Sequence, residues 1–321
     1  MRGGRRVSTF RSKLRIKVVS RLDFDSVFFY NETITFLTIQ RYFEYFNSKF
    51  VRIVYGSKQL IMISKSRIKF IKSLQNKKVR DEERLFVIEG DKLVKEFLYA
   101  NVPVKILLGK PEFLDGLLPE LTSSVNVIED ISYDELKQIS TLKTPHNALA
   151  VVHMPEHEMN ILKIITQICV ALDFVQDPGN MGTIIRAAGW FGIKNIVCSP
   201  DCVDVYNPKV IQASMGALLQ VNVFYSDLKK LFTTTAQNDI PVFGTLLEGE
   251  SIYDHKLDNK GIILLGNESK GISNELIPFI TEKIRIPKFS KTMEGIDSLN
   301  VGMAASIVFS EFLRKSDCVP D

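Results

Sequence analysis

The stretch ICVALDFVQDPGNMGTIIRAAGWFGIKNIVCSP, Ile168–Pro200, carries the reading that decides the fold. Its opening run, ICVALDFV, suits a buried strand, and QDPGN is a turn by composition. TIIRAAGWFG has helical spacing, and NIVCSP is a second strand. The helix is expected to begin after Asn180-Met181-Gly182 and to carry Arg186 among Ala187, Ala188 and Gly189. Further strands follow at VNVFY, PVFGTLL, GIILLG and KIRIP. Helices are expected at PKVIQASMGALLQ, DLKKLFTTTAQN and SLNVGMAASIVFSEFLRK. Strands that read as unbroken apolar runs and alternate with helices predict an α/β domain, residues 166–321, with a mostly parallel sheet covered on both faces.

Working toward the N-terminus, MPEHEMNILKI is polar at first and carries Pro155, which makes residues 154–165 the expected linker. Residues 62–153 alternate again. Ile68, Ile71 and Leu74 with Phe70 give an amphipathic helix, LFVIEG a strand, and DKLVKEFLYAN a helix with Asp91 as its expected cap. VKILLG, VNVIED and NALAVVHM are strands, PEFLDGLLPEL is helical, and SYDELKQIS has a capping box at Ser132 and Glu135. This is a second, smaller α/β domain.

The chain has 321 residues, 45% of them hydrophobic, and a net charge of +4. The charge is uneven: residues 1–61 hold 12 Lys+Arg against 4 acids, together with 12 of the 31 aromatics, and the remainder is net acidic. That extension has three readings: a basic, aromatic arm for RNA, a targeting segment, which its length and acids fit poorly, or upstream sequence ahead of a start at Met62. No apolar run reaches the length of a membrane span. Cys169, Cys198, Cys202 and Cys318 lack metal spacing, and Pro155 separates His153 from His157, so no metal site is expected. A reduced, cytoplasmic protein fits these cysteines better than a disulfide scaffold.

Three segments concentrate reactive side chains beside Gly/Asn/Ser-rich turns: Leu172–Ile193, LLGNESKGIS (Leu264–Ser273) and IPKFSKTMEGIDSLNVGMAAS (Ile286–Ser306). Arg186 offers a planar guanidinium suited to a bidentate grip on phosphate. Gly266 after a buried strand allows a ligand close to the main chain. Ser298 is the expected cap of the last helix, with Leu299, Met303, Ala304, Ile307 and Val308 as its buried face. Lys65, Arg67, Lys69, Lys72, Lys77, Lys78 and Arg80 form a basic cluster that would track an RNA backbone or serve as a solvated helix face. NPKVIQASMGAL has Ser214 and Gly216 for close helix packing, and no GxGxxG follows a strand.

Together and in this order the three segments resemble the signature motifs of the SpoU (TrmH-like) RNA ribose methyltransferases, over roughly Met62 to Arg314. The resemblance implies transfer of a methyl group from S-adenosylmethionine to a ribose 2′-hydroxyl, in large-subunit rRNA more than in tRNA. It implies a trefoil-knotted catalytic domain, a homodimer, and an RNA-binding role for the first domain. By the same resemblance Asn180, Arg186, Glu268, Ser298 and Asn300 are the catalytic set, and Gly266, Ile286 and Leu299 contact the cofactor. The loop Lys288–Asp297 is longer than the family's usual one. A tRNA enzyme of the same chemistry is the nearest rival, and a non-catalytic RNA-binding or ribosome-assembly protein on the same fold is the rival from another class.

Overall fold

The computed structural model describes residues 63–156, 158–258, 260–290 and 298–314. The extension at 1–61 and most of the long loop before Ser298 lie outside them. The first lobe runs α1 (Lys65–Ser73), α2 (Lys77–Glu83), β1 (Leu85–Glu89), α3 (Asp91–Tyr99), β2 (Val104–Gly109), α4 (Pro111–Asp115), α5 (Pro119–Thr122), β3 (Val125–Asp130), α6 (Tyr133–Ile139) and β4 (Ala148–His153). Its sheet order is β1-β4-β2-β3. β4 is antiparallel to both neighbours, while β2 and β3 are parallel.

The second lobe runs α7 (Ile161–Ile164), β5 (Ile168–Leu172), α8 (Pro178–Trp190), β6 (Asn195–Cys198), α9 (Pro208–Ser214), β7 (Asn222–Tyr225), α10 (Leu228–Ala236), β8 (Val242–Ser251), β9 (Gly261–Leu265), β10 (Glu282–Arg285) and α11 (Val301–Leu313). Its six strands are all parallel, in the order β10-β8-β9-β5-β6-β7. β5 shows why these strands read as unbroken apolar runs. Ile168, Val170 and Leu172 enter the core under α8 and α11, and Cys169 and Ala171 enter the core under α10.

Helix ends are where the structure departs from expectation. α8 begins at Pro178, ahead of Asn180-Met181-Gly182, because the Asp177 carboxylate caps it by accepting the Asn180 N–H at 2.8 Å. Asp91 is not a cap: Gly90 holds that position, and the Asp91 carboxylate accepts the Asn147 backbone and side-chain N–H groups at 2.9 and 2.6 Å. PEFLDGLLPEL is two short helices, α4 and α5, rather than one. α9 stops at Ser214, where Met215 (φ 50°) and Gly216 (φ 83°) turn left-handed. Ser132 and Glu135 do form their capping box, and Glu135 also accepts the Ile63 N–H at 2.9 Å. Within the expected linker, α7 forms, and Ile164 and Ile165 are buried in the second lobe's core.

The two lobes share a packed seam built by residues 204–216. Ile211 on α9 is buried in a core of the first lobe, and Tyr206 lies against Phe86 with ring centroids 4.8 Å apart. The Gln212 side chain donates to the Glu89 carbonyl at 3.0 Å. Arg80, only 2% exposed, donates to the Leu74 and Gln75 carbonyls at 2.8 Å and pairs with the Asp204 carboxylate, its Nε at 3.1 Å. The sequence reading placed Arg80 with the RNA-facing cations; the structure corrects this, since the charge is enclosed and fully paired.

Breaking this buried pair strands one charge without its partner. Arg80→Ala should cost about 3 kcal/mol, seen as a lower urea midpoint. Asp204→Leu combined with Arg80→Met should recover much of that loss. A single variant as stable as the parent would refute the seam's role.

Candidate functional site

The site assembles where three turns meet beyond the C-terminal edge of the parallel sheet. After β5 the chain is held tightly. Asp173 N–H donates to the Leu265 carbonyl at 2.9 Å, and the Asp173 carboxylate accepts the Ser273 N–H at 2.7 Å. α8 then projects Asn180 from its first turn. After β9, Asn267 closes its own loop: its side-chain oxygen accepts the Ser269 and Lys270 N–H groups at 2.9 and 3.0 Å. Backbone bonds link Asn267 and Gly271 in both directions. The third turn enters α11. Here Asn300, not Ser298, is the cap, accepting the Gly302 and Met303 N–H groups at 3.0 and 3.3 Å. Ser298 lies two residues earlier and exposed.

These turns bring three of the sequence-predicted residues into one hydrogen-bonded chain. Asn300 Nδ2 donates to Asn180 Oδ1 at 2.8 Å, and Asn180 Nδ2 donates to Glu268 Oε1 at 2.8 Å. Asn267 Nδ2 then donates to Glu268 Oε2 at 3.2 Å and to the Phe174 carbonyl at 2.8 Å. With its carbonyl on Asn300 and its amide on Glu268, the Asn180 side chain has one orientation. One N–H each on Asn180 and Asn300 is left for a bound molecule.

Arg186 does not join this chain. It is exposed on α8, in a stripe with Gly179, Thr183 and Trp190, and its guanidinium has no partner among the described residues. α11 runs beside that stripe: a Cβ built on Gly302 would sit 3.0 Å from Thr183 Cγ2. The expected buried face of α11 is rotated. Val301, Ala305, Val308, Phe309 and Phe312 are buried, while Leu299 (47%) and Met303 (62%) are exposed, as is Trp190 (85%) at the end of α8.

Gly266 is required for a reason the sequence reading did not identify. A Cβ there would meet Gly271 C at 2.3 Å, so the glycine lets the 266–271 loop fold onto itself. The residues nonetheless fit a cofactor. Gly266 follows β9, Ile286 follows β10, and β8 bulges over Thr245–Gly249 between its pairings with Lys283 and Ile284. These are neighbouring C-terminal strand ends, the position where open parallel sheets take ligands. Half-buried Ile286 and exposed Leu247 and Leu299 supply apolar surface for an aromatic ring.

On the first lobe, Lys65, Lys69 and Lys72 form an exposed stripe on α1 with no acid partner among the described residues. Lys77 and Lys78 are exposed on α2 but lie 2.7 and 3.9 Å from Asp81 and Glu82. Arg67 pairs with Glu129. Sequence reasoning missed Asn267, Asp177 and Phe174. The first two were detectable as Asx-type turn and cap residues; Phe174 carries no local signal.

The chain resembles known proteins across both lobes. The model of the SpoU rRNA Methylase family matches residues 167–310, and that of the MRM3-like substrate binding domain matches residues 65–150. The 23S rRNA (guanosine(2553)-2′-O)-methyltransferase RlmP of Bacillus subtilis (strain 168) is 28% identical over 252 residues, covering 78% of this chain and 97% of its own. The structure of a TrmH-family protein from Porphyromonas gingivalis is 38% identical, with a TM-score of 0.71, covering 79% of this chain and 100% of its own. An AdoMet-bound rRNA methyltransferase from Sinorhizobium meliloti is 26% identical with a TM-score of 0.68, covering 79% and 96%.

The double role of Asn300 is separable. Asn300→Ala removes both the cap and the tie to Asn180 and should cost about 1 kcal/mol, a fall of about 2–4 °C in Tm. Asn300→Ser keeps a capping oxygen and should restore most of that stability without restoring the Asn180 bond. Equal melting of Asn300→Ala and the parent would exclude the cap.

Proposed function

The chain belongs to the SpoU (TrmH-like) family of RNA methyltransferases, and we propose that it methylates a ribose 2′-hydroxyl of large-subunit rRNA with S-adenosylmethionine as donor. The observation that carries this reading is the Asn300–Asn180–Glu268 chain, which converges three motifs on one point. RNA is the substrate class of the rRNA-modifying relatives, and rRNA is favoured over tRNA because the first lobe matches the substrate-binding domain model named for MRM3.

S-adenosylmethionine supplies an electrophilic sulfonium methyl when bound; the turns carrying Gly266, Ile286 and Leu299 would hold it. The remaining work falls to side chains. The free N–H groups of Asn180 and Asn300 orient the ribose. Glu268 is a positioning residue, acting by fixing the Asn180 amide. Arg186 cannot serve as a base, since a guanidinium stays protonated in proteins. Its role is to clamp an RNA phosphate bidentately and to stabilise charge developing on the attacking oxygen, whose proton passes to the phosphate. Ser298, exposed two residues before the Asn300 cap, is assigned to the same set by the family resemblance alone. On the first lobe, Lys69 and Lys72 track the RNA backbone, with Lys77 and Lys78 released from their surface ion pairs, which cost little to break.

We further propose a homodimer formed through α8 and α11. Trp190 on α8, Met303 on α11 and Leu299 just before it leave apolar side chains exposed, and Arg186 and Thr183 share the stripe of Trp190. The deep trefoil knot characteristic of the family belongs to this proposal as well, with the chain returning after β10 to place Asn300 against Asn180. A cytoplasmic, reducing environment suits the buried free thiols Cys169, Cys198 and Cys202.

The test is transfer of radiolabelled methyl to unmodified large-subunit rRNA and to tRNA. Label is expected in the rRNA, and Arg186→Ala should lower kcat/KM at least 100-fold while leaving cofactor affinity unchanged. Arg186→Lys retaining most activity would remove the bidentate clamp, and label in tRNA alone would replace the substrate. For the dimer, sedimentation should show two-chain particles that dissociate in Trp190→Glu; a monomeric parent would refute the pairing.

A further inference from the structure

Beside the Asn180–Glu268 chain lies a feature the mechanism above does not use. A cavity of about 350 Å³ opens between the turn after β5 and the loop after β9, lined by Phe174, Asn267, Lys270, Ile272, Ser273 and Asn274. Phe174 is unusual in it. Its backbone sits in the left-handed region at φ 60°, where a bulky aromatic is a genuine outlier and Gly or Asn would be unstrained. The conformation is held at both ends: Phe174 N–H donates to Ser199 Oγ at 3.0 Å, and its carbonyl accepts Asn267 Nδ2 at 2.8 Å. The turn therefore does not select a phenylalanine; the ring serves some other purpose.

That ring lies half-exposed at the cavity, and the Lys270 ammonium stands 5.2 Å from its centroid. A flexible cation over an aromatic face is readily displaced by a flat ligand and is then free to meet an anion beside it. Asn274, exposed at the rim, adds an amide that can both donate to and accept from a ring edge. Ring, cation and amide together fit one nucleotide: a base to stack, a phosphate, and a hydrogen-bonding edge. The position is tied to the chemistry, because the Asn267 amide that holds Phe174 also bonds Glu268, the anchor of Asn180.

We propose that this cavity is a base-binding subsite for the RNA substrate, in which an unstacked nucleobase lies on Phe174 and Lys270 takes a neighbouring phosphate. The subsite rests on the RNA-methyltransferase reading and adds to it a residue that selects the conformation of the RNA. An adenine from the cofactor is the other source of a flat ring. The RNA is favoured because, of the three cofactor-holding turns, only the loop after Gly266 lines this cavity, and those at Ile286 and Leu299 contribute nothing to its wall.

The full chain can be tested with three variants. Phe174→Asn removes the ring and suits the left-handed backbone, Phe174→Tyr keeps the ring, and Lys270→Met removes an exposed charge. The readouts are affinity for a short single-stranded RNA by fluorescence anisotropy, KM and kcat on rRNA, and S-adenosylmethionine affinity by calorimetry. Phe174→Asn should weaken RNA binding and raise KM about tenfold, with kcat and cofactor affinity within twofold of the parent. Phe174→Tyr should behave as the parent. Lys270→Met should lower the salt dependence of RNA binding by about one released counterion. Unchanged RNA affinity in both Phe174→Asn and Lys270→Met would overturn the subsite while leaving the methyltransferase intact. A parallel loss of cofactor affinity in Phe174→Asn would also overturn it, assigning the ring to adenine. Weakened RNA binding in a protein whose parent methylates no RNA would sustain the subsite and sink the methyltransferase reading instead.

Discussion

Helix α8 packs against two other helices at distances that leave no room for a side chain, and the rest of the catalytic lobe depends on that packing. A Cβ at Gly182 would stand 2.4 Å from Ala213 Cβ on α9, and one at Gly302 would touch Thr183 from α11. The first contact ties α8 to the helix that carries the inter-lobe seam. The second brings the start of α11 beside the first turn of α8, where Asn300 bonds Asn180. Glycine is weak in helix interiors, by about 1 kcal/mol relative to alanine. Packing without intervening side chains compensates, and it fixes the site to within a hydrogen bond's length.

The site follows a simple electrostatic logic. Two amides and one carboxylate are arranged so that every group has a partner of opposite sense, leaving one amide proton each on Asn180 and Asn300 unspent. Cations are absent from this chain. Arg186, which the resemblance placed in the catalytic set, stands exposed on α8 in a stripe with Thr183 and Trp190. The fold thus keeps the amide–carboxylate chain apart from the exposed guanidinium.

Much of this was legible in the residues. Each of the ten strands among the described residues overlaps an apolar run that the sequence marks, because such runs and Gly/Pro/Asn punctuation are local signals; β8 alone continues well past its run, through the polar Glu248–Ser251. The Ser132–Glu135 capping box was likewise readable three residues at a time. Helix starts were less so. Asp177 and Asn180 are both cap-type residues, as are Ser298 and Asn300, and composition does not choose between two such residues a few positions apart. Asp177 and Asn300 hold the caps, since only they bring an oxygen to the free N–H groups of the first turn.

What the sequence determined by itself is the class of fold and the identity of the motif residues, because periodicity and turn chemistry act over a few positions. The tertiary structure alone decided which side chains meet. Asn180 reaches Glu268 across 88 positions and Asn300 across 120, and those distances close only through the order of strands in the sheet. The same holds for Arg80, which a local reading assigns to a basic helix face and which the fold encloses against Asp204, 124 positions away. A charge on a helix has two outlets, water or a buried partner, and the choice belongs to whatever element the chain path packs against it.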